Sequence, residues 1–173
     1  MSNSSMKPSA NEYAPYYGRY IDLVPAGDIV EILQQQMIAT LNFFTSLTEE
    51  KASHRYAPGK WSIKEIVGHI VDSERIFAYR ALRFARNDKS PLMGFEQDDY
   101  VINGDFDRRE LSDLIKEYEH VRRASIDLFK ALKEEAWERQ GEASEAEVSV
   151  RALAWIICGH ELHHEGVVRT KYL

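Results

Sequence analysis

Residues 62–84 read SIKEIVGHIVDSERIFAYRALRF, and in this stretch apolar side chains recur with the period of an α-helix. Ser62 opens the stretch and Glu65 follows three residues later, which is the capping box that marks a helix N-terminus. The apolar residues that share one face are Ile63, Ile66, Ile70, Phe77, Ala81 and Phe84. Because such a face has to be buried against other elements, the pattern predicts a long helix that faces a core.

Three further segments have the same periodicity and start signals of their own. The first helix is predicted to open at Asp28 and the third at Asp107, each with a glutamate three residues later, and the fourth near Ser149. Residues 88–106, which contain proline and glycine, form a long connection between the second and third helices. No comparable run of period-2 alternation is present. The sequence therefore predicts an all-α fold, a four-helix bundle with one long crossover between helices 2 and 3.

The length and composition of the chain fit one domain. It has 173 residues, of which 44% are hydrophobic, and about 100–200 residues are usual for a single domain. Residues 1–10 are rich in serine and asparagine and are predicted to be disordered, so that residues 11–173 form the bundle. Four tyrosines then recur around Pro15 and are expected to pack on the core as an aromatic clamp: Tyr13, Tyr16, Tyr17 and Tyr20.

Charge and apolar patterning argue against two classes of partner. The formal net charge is −6 and the chain has no sizeable basic block, which disfavours nucleic acid. The longest apolar run, residues 152–158, is far shorter than the roughly 20 residues of a membrane span, and the first ten residues lack the apolar region of a signal peptide. Cys158 is the only cysteine, so an internal disulfide is excluded and a cytoplasmic location is expected.

A histidine pair lies within the apolar face of the fourth helix. At about 100° per residue, the face that holds His160 and His164 also holds Leu153, Ile156 and Val167. Burying two imidazoles costs free energy unless their nitrogens find partners. At a spacing of four residues both rings can point at one ion, so a metal site is the favoured interpretation. The alternative is a pair of hydrogen-bonded core histidines.

A third ligand has to come from elsewhere in the chain, and the sequence leaves several candidates open. His69, at the edge of the apolar face of the second helix, is the best of them. Two residues that could orient its ring are Asp72 and Ser73. Glu74 is a carboxylate alternative, which would otherwise form a buried ion pair with an arginine, and His163 lies on the flank of the fourth helix. The two histidines expected at the surface are His54 and His120.

Residues 160–164 also spell H-E-x-x-H, in which Glu161 would be the general base of a zinc protease. That interpretation fails, because the residues after His164 offer no histidine as a third ligand and no strand is predicted to hold a peptide. Glu161 and Glu74 stay as candidates for a catalytic carboxylate. Cys158 lies nearly opposite His160 around the helix and is predicted to be a packing residue.

Three segments of the chain resemble the DinB-like superfamily. Residues 59–74, GKWSIKEIVGHIVDSE, are similar to its second-helix signature; residues 91–101, PLMGFEQDDYV, to its crossover; and residues 159–164, GHELHH, to its C-terminal helix. The similarity covers nearly all of the chain after residue 11. It implies a four-helix bundle, often a homodimer, that holds one divalent ion through three histidines. The matching positions are His69, His160 and His164.

The resemblance also implies a class of reaction. The characterised branches are metal-dependent thiol S-transferases and a mycothiol-dependent isomerase, so a small-molecule substrate is expected, with a low-molecular-weight thiol as the leading candidate. Three neutral imidazoles leave an open position on a metal ion, and zinc or nickel suits such a ligand set. The leading hypothesis is therefore a metal-dependent enzyme of the thiol S-transferase type. The alternatives are a metal-dependent hydrolase and a non-enzymatic metal-binding scaffold.

Two arginines beyond His69 on the second helix are candidates for binding an anionic substrate. Arg80 and Arg83 lie one and two turns past the predicted site. The alternative is that both are solvated charges on the outer face of the bundle.

Overall fold

The computed structural model describes residue 4 and residues 6–173. The predicted disorder of residues 1–10 falls partly on residues 1–3 and 5, which lie outside the described residues, and the division at residue 11 stays a prediction. Within the described part, Pro8 is buried and Ser9 forms a capping box with Glu12 on a short 3-10 turn. The Glu12 carboxylate then accepts hydrogen bonds from Ser149 and Arg151, so it fastens this segment to the bundle.

The described residues form eight α-helices and one β-hairpin. The helices are α1 (Gly18–Ile21), α2 (Ile29–Thr45), α3 (Glu49–Ala52), α4 (Ile63–Ala85), α5 (Gln97–Gly104), α6 (Leu111–Lys130), α7 (Glu134–Trp137) and α8 (Val150–Lys171). The strands are β1 (Gln140–Ala143) and β2 (Ala146–Ser149). No helix in this part of the chain is both long enough and apolar enough to cross a membrane.

The four long helices, α2, α4, α6 and α8, form the predicted bundle. Helix α4 packs against both α6 and α8, and α2 packs against the same two helices. The apolar face predicted for residues 62–84 is buried, with Ile63, Ile70 and Phe84 almost completely inaccessible to solvent. The long crossover between the second and third long helices is also present, so this part of the fold prediction is confirmed.

Three of the four predicted helix starts are confirmed by their caps. The Asp28 carboxylate accepts from the backbone N–H groups of the first turn of α2, Ser62 forms the full capping box with Glu65, and the Ser149 hydroxyl accepts from the N–H of Ala152 at 2.9 Å. Each cap satisfies donors that a helix cannot pair internally.

The predicted start of the third long helix at Asp107 is wrong. Residues Phe106–Arg108 form a 3-10 turn, and α6 begins at Leu111. The Asp107 carboxylate instead accepts from the Ser62 hydroxyl at 2.6 Å and from Arg55 at 2.7 Å. It therefore joins the crossover to the N-terminus of α4, while the Glu49 carboxylate accepts from the first N–H of α6.

The β-hairpin was not predicted from the sequence. Its strands have four residues each, and its turn places Ser144 and Glu145 at φ 55° and 62°, a conformation that asparagine and glycine usually signal. Leu92 of the crossover pairs with the hairpin, donating to the carbonyl of Glu142 at 2.9 Å and accepting from Ser144 at 2.9 Å. The crossover is thus held against the end of the bundle rather than being a free loop.

Two glycines let neighbouring segments approach the histidine-bearing helices closely. A Cβ atom on Gly68 would lie 2.4 Å from the Phe106 ring, and one on Gly159 would lie 2.1 Å from the backbone carbonyl oxygen of Tyr20. Real side chains do not make such contacts. The crossover and α1 can therefore pack directly beside His69 and His160 only because these two positions lack side chains.

Candidate metal centre

Three histidines from two helices converge in the structure. His69 comes from α4, and His160 and His164 lie one turn apart on α8. The Nε2 atom of His160 lies 3.0 Å from that of His69 and 3.2 Å from that of His164. One ring nitrogen from each of the three residues lies within 4.8 Å of the others. The predicted candidates are therefore brought together, whereas Glu74 and His163 do not join this group.

Aromatic side chains hold the three rings in place. Trp61 packs on His69 with ring centres 4.8 Å apart and lies nearly parallel to the ring of His164. Tyr20 meets His160 edge-on at 5.3 Å. The Ser73 hydroxyl lies 3.5 Å from Nδ1 of His69, close enough to bias which nitrogen carries the proton. This leaves Nε2 of His69 facing the other two histidines.

Burial keeps all three imidazoles neutral. Desolvation lowers the pKa of His69 to about 4 and that of His164 to about 3, and the same cause holds the pKa of His160 well below its ordinary value. Each ring lacks favourable hydration when it is charged, and for His160 and His164 the histidine neighbours add repulsion. At neutral pH the cluster therefore presents uncharged nitrogens with lone pairs, which is the form that binds metal.

The donor set fits one divalent cation. Two nitrogens bound at ~2.0–2.1 Å to a tetrahedral ion lie about 3.3–3.4 Å apart, which is close to the separations within the cluster. Without an ion, the Nε2 atom of His160, at 3.0 and 3.2 Å from those of His69 and His164, can share at most one proton with each, and lone pairs are left facing one another. A cation that all three nitrogens coordinate removes that repulsion.

Two clefts reach the cluster, and their linings share no residue. The first, called the tyrosine cleft, has a volume of about 360 Å³. It is lined by Tyr16, Tyr17, Tyr20, His69, Ser73, Phe77, Gly94, Phe95, Glu96, Gln97, Ser144 and His160. The second, called the tryptophan cleft, has a volume of about 300 Å³. It is lined by Tyr56, Gly59, Lys60, Trp61, Ile66, Asp98, His163, His164, Val167 and Tyr172.

Comparison with known proteins identifies the family. The family model described as the DinB superfamily matches residues 32–168, which include α4, the crossover and nearly all of α8. The chain belongs to the DinB superfamily. The matched region contains all three clustered histidines, so the resemblance noted in the sequence is confirmed.

Individual relatives of this DinB-superfamily chain agree with the fold. A protein of Oceanobacillus iheyensis, named as a candidate metal-dependent hydrolase, is 32% identical over 142 residues, which cover 78% of this chain and 76% of that protein. The structure of YfiT from Bacillus subtilis, described as a probable metal-dependent hydrolase with an unusual four-helix bundle topology, matches with a TM-score of 0.70 at 14% identity. That match covers 95% of this chain and 93% of YfiT.

A mycothiol-dependent maleylpyruvate isomerase also shares the architecture. Its structure matches with a TM-score of 0.67 at 10% identity, over 84% of this chain and 61% of the isomerase. At such identities the two structural matches support the fold alone.

The two candidate catalytic carboxylates of the DinB chain lie in a buried ionic network, away from the clefts. Arg122 of α6 donates to Glu74 at 2.9 Å and to Glu161 at 2.5 Å. Glu161 also accepts from Thr40 and from Tyr118. Glu74 thus forms the buried ion pair with an arginine that was the alternative to its being a ligand. Neither Glu74 nor Glu161 lines either cleft. Burial raises the pKa of Glu161, and Arg122 opposes this shift.

The two candidate substrate-binding arginines are engaged by protein partners. Arg80 is buried rather than solvated, and it donates to the Met93 carbonyl and to the Ser144 hydroxyl, each at 2.9 Å. It therefore holds the crossover against the hairpin turn. Arg83 pairs with Asp88 and contacts the Tyr79 hydroxyl. Neither guanidinium lines a cleft, so the structure gives no support to direct substrate binding by them.

The other residues singled out in the sequence lie outside the group of three histidines. His163 lines the tryptophan cleft, with its ring 5.1 Å from that of His164. Asp72 pairs with Arg75 and does not contact His69, so only Ser73 of the two predicted orienting residues does so. Cys158 is completely buried, which raises its pKa to about 12, and it is a packing residue as predicted. The two histidines that lie at the surface as predicted are His54 and His120.

Sequence reasoning missed most of the residues around the cluster. Of the tyrosines predicted to pack as a clamp, Tyr17 contacts the core residue Phe77. Three of the four also line the tyrosine cleft, namely Tyr16, Tyr17 and Tyr20. Trp61, directly before the capping serine of α4, received no role and forms a wall against two of the histidines. The sequence did offer one signal for this role, because Trp61 directly precedes the helix cap and lies two helical turns before the candidate ligand His69.

Proposed function

We propose that this protein is a metal-dependent enzyme in which His69, His160 and His164 hold one divalent cation, zinc or nickel, and that it transfers a small thiol to an electrophile. The observation that carries the proposal is the convergence of three neutral imidazole nitrogens at a point reached from two clefts. Three protein ligands are the number that catalytic zinc sites use, whereas closed structural sites use four. A bound cation would supply Lewis acidity that lowers the pKa of a thiol beside it.

The residues around the cluster favour thiol transfer over hydrolysis. Hydrolysis needs a group that takes a proton from water and one that protonates the leaving group. Glu74 and Glu161 are occupied by Arg122 inside the bundle. A thiol needs no such base, because it gives up its proton readily once its pKa falls. With a chlorinated electrophile such as monochlorobimane, the S–H bond breaks, a C–S bond forms, chloride leaves with the electron pair of the C–Cl bond, and the proton passes to the buffer.

The protein itself would bind and orient the reactants. Trp61 and Tyr20 pack against the histidine rings, the Ser73 hydroxyl lies beside Nδ1 of His69, and the aromatic walls of the tyrosine cleft would exclude water from an apolar electrophile. These contacts hold the reacting groups near one another, which is how a positioned site gains rate without a protein nucleophile.

A metal-dependent hydrolase is the second candidate, and one observation favours it. Glu96 lies in the lining of the tyrosine cleft together with His69 and His160, so it is a carboxylate that is available on the same side of the cluster. The relative from Oceanobacillus iheyensis is named for hydrolysis as well. In this case Glu96→Gln would abolish ester turnover, whereas it would leave thiol conjugation intact.

We also propose that the protein acts in the cytoplasm as a homodimer and without nucleic acid. The net charge of −6 and the single buried cysteine support the exclusion of nucleic acid and a reducing compartment. The dimer is supported by the family resemblance. Light scattering on the purified protein should give twice the mass of one chain, and a mass of one chain would contradict the dimer.

A conjugation assay tests the proposed reaction. The metal-loaded protein should accelerate the reaction of a small thiol with monochlorobimane, and His160→Ala should lose most of this acceleration. His120→Ala is the matched control, because His120 is exposed and distant from the cluster in the chain, and it should keep full activity. Metal-dependent turnover of esters without any effect of thiols would favour the hydrolase. No turnover in either assay would favour a metal-binding scaffold.

A further inference from the structure

The histidine cluster borders two different clefts. His69 and His160 line the tyrosine cleft, and His164 lines the tryptophan cleft, while the three ring centres lie only 4.5–4.9 Å apart. One organic molecule in each cleft would therefore reach the same point from two directions. A hydrolase needs a cleft for one organic substrate only, since its second substrate is water. Two clefts beside one cluster give each partner of a transfer between two organic molecules a place of its own.

The tryptophan cleft carries one charge of each sign. Lys60 and Asp98 both line it, both are exposed, and neither has an ion-pair partner among the described residues. Other surface charges nearby are paired, as Arg55 is with Asp107 and Glu65. A ligand that carries both a carboxylate and an ammonium group matches this arrangement, and a volume of about 300 Å³ accommodates a molecule of amino-acid size.

The tyrosine cleft has a different character. Tyr16, Tyr17, Phe77 and Phe95 give it aromatic walls, and its lining carries Glu96 but no lysine or arginine. Aromatic walls favour a flat apolar ligand by removing its surface from water. Because no lysine or arginine in this lining would pair with the carboxylate of a zwitterion, an apolar electrophile suits this cleft better.

We propose that the two substrates bind in different clefts and react in a ternary complex: an amino-acid thiol in the tryptophan cleft, and an apolar electrophile in the tyrosine cleft. The thiol carboxylate lies toward Lys60 and its ammonium toward Asp98, so that its sulfur faces His164. The sulfur then forms the C–S bond to the electrophile, the S–H proton passes to solvent, and the halide leaves with the electrons of the C–X bond. This inference rests on the proposed thiol transfer and adds the class of thiol.

Charge-matched thiols test the assignment of the tryptophan cleft. 3-Mercaptopropionate carries only the carboxylate and cysteamine only the ammonium group, and the measured quantity is the ratio of their kcat/KM values with monochlorobimane. Lys60→Met should lower the preference for 3-mercaptopropionate about fivefold, and Asp98→Asn should raise it about fivefold, as expected for one partly exposed ion pair. Lys130→Met, an exposed lysine at the end of α6 that lines neither cleft, should leave the ratio unchanged. A ratio that is the same in all four proteins would overturn the assignment.

Steady-state kinetics and calorimetry test the ternary complex and separate this inference from the proposed function. S-methyl-L-cysteine, which has no thiol to react, should compete with L-cysteine but not with monochlorobimane. Competition with both would show one shared cleft and overturn the inference. If no conjugation is observed at all, the proposed function fails, but calorimetric binding of S-methyl-L-cysteine that weakens in both Lys60→Met and Asp98→Asn would still support the cleft assignment. Absence of that binding would contradict it.

Discussion

Each clustered histidine occupies a position where a bundle helix normally carries an apolar residue. His69 and His160 are 3% and 6% exposed, and the ring nitrogens face one another instead of solvent. Such a cluster is unfavourable for a metal-free protein, because three desolvated imidazoles gain no hydrogen bonds equal to those they lose to water. At these positions the chain therefore carries side chains that could bind a cation instead of the apolar residues that stabilise a bundle, which is typical of a functional site.

Acidification should destabilise the metal-free protein over a defined range. The folded state protonates His69 only near pH 4 and His164 near pH 3, whereas the unfolded chain protonates both near the ordinary value of 6.5. Between these values the unfolded state binds more protons than the folded state, so the free energy of unfolding decreases as the pH falls. The contribution of His69 and His164 is fully present above about pH 6.5 and is lost as the pH falls toward 3. Urea unfolding at several pH values measures the effect. The His69→Ala protein should show a smaller loss over the same range, and an equal loss would contradict the assignment.

A bound ion should be released only at about pH 4 and below, because protons compete for the same nitrogens and the folded protein protonates His69 near pH 4 and His164 near pH 3. Dialysis at successively lower pH, followed by metal analysis, measures the release. Release that is complete at pH 6 but absent at pH 7.5 would argue against an ion held by these imidazoles, because the folded protein keeps His69 and His164 unprotonated at both pH values.

At the scale of elements, the contact between α1 and α8 determines the wall beside His160. Gly159 allows the Tyr20 backbone to approach α8, and Tyr20 then packs on both His160 and His163. The sequence predicted α8 well, because its cap and periodicity are local signals. It did not predict the approach of α1, since a close contact between two segments far apart in the chain has no periodic pattern.

Gly159→Ala should therefore destabilise the protein by about 1–3 kcal/mol, because the new Cβ atom forces the backbones of α1 and α8 apart. Gly166→Ala on the same helix is the matched control. No atom lies within 4 Å of the Cβ position there, so alanine should stabilise the helix by up to about 1 kcal/mol through its higher propensity. Chemical denaturation of both variants measures these changes. Equal effects of the two substitutions would refute the close packing at Gly159.

At the scale of the whole molecule, one buried arginine connects all four long helices. Arg122 of α6 donates to Gln36 of α2, Glu74 of α4 and Glu161 of α8. Glu74 and Glu161 lie on the two helices that carry the histidines, so the network fixes α4 and α8 relative to each other. Both carboxylates share one arginine, and Tyr118 and Thr40 supply the further hydrogen bonds that Glu161 needs in a dry interior.

Arg122→Met should destabilise the protein by about 3–5 kcal/mol, because it leaves two carboxylates buried without their partner. Arg123→Met, at an exposed position where the arginine pairs with Glu119 one turn away, should change stability by less than about 1 kcal/mol. Thermal and urea unfolding distinguish these outcomes. If Arg122→Met is as stable as Arg123→Met, the network does not hold the helices together.

The sequence predicts the bundle better than it predicts the site. The caps at Asp28, Ser62 and Ser149 and the apolar faces are local patterns, so the long helices follow from them. The hairpin was not predicted because its strands are too short to show a clear alternation. The start of α6 was predicted wrongly because Asp107 accepts a hydrogen bond from Ser62 at the N-terminus of α4 instead of capping α6.

The pair His160 and His164 was predictable from its spacing, since both lie on one helix. The third histidine, the aromatic walls and the partners of Glu74 and Glu161 depend on packing between helices. No periodicity within one segment contains that information, so the residues alone left Glu74 and His163 open as third ligands until the family resemblance indicated His69.

The metal content of the purified protein tests the central claim most directly. Plasma mass spectrometry should find one zinc or nickel ion per chain in the wild type, and a large loss in each of His69→Ala, His160→Ala and His164→Ala, because each removes one of three converging nitrogens. His120→Ala, which removes an exposed histidine, should retain one ion per chain. Full occupancy in His69→Ala would contradict the account, because it would show that His69 is not a ligand of the ion.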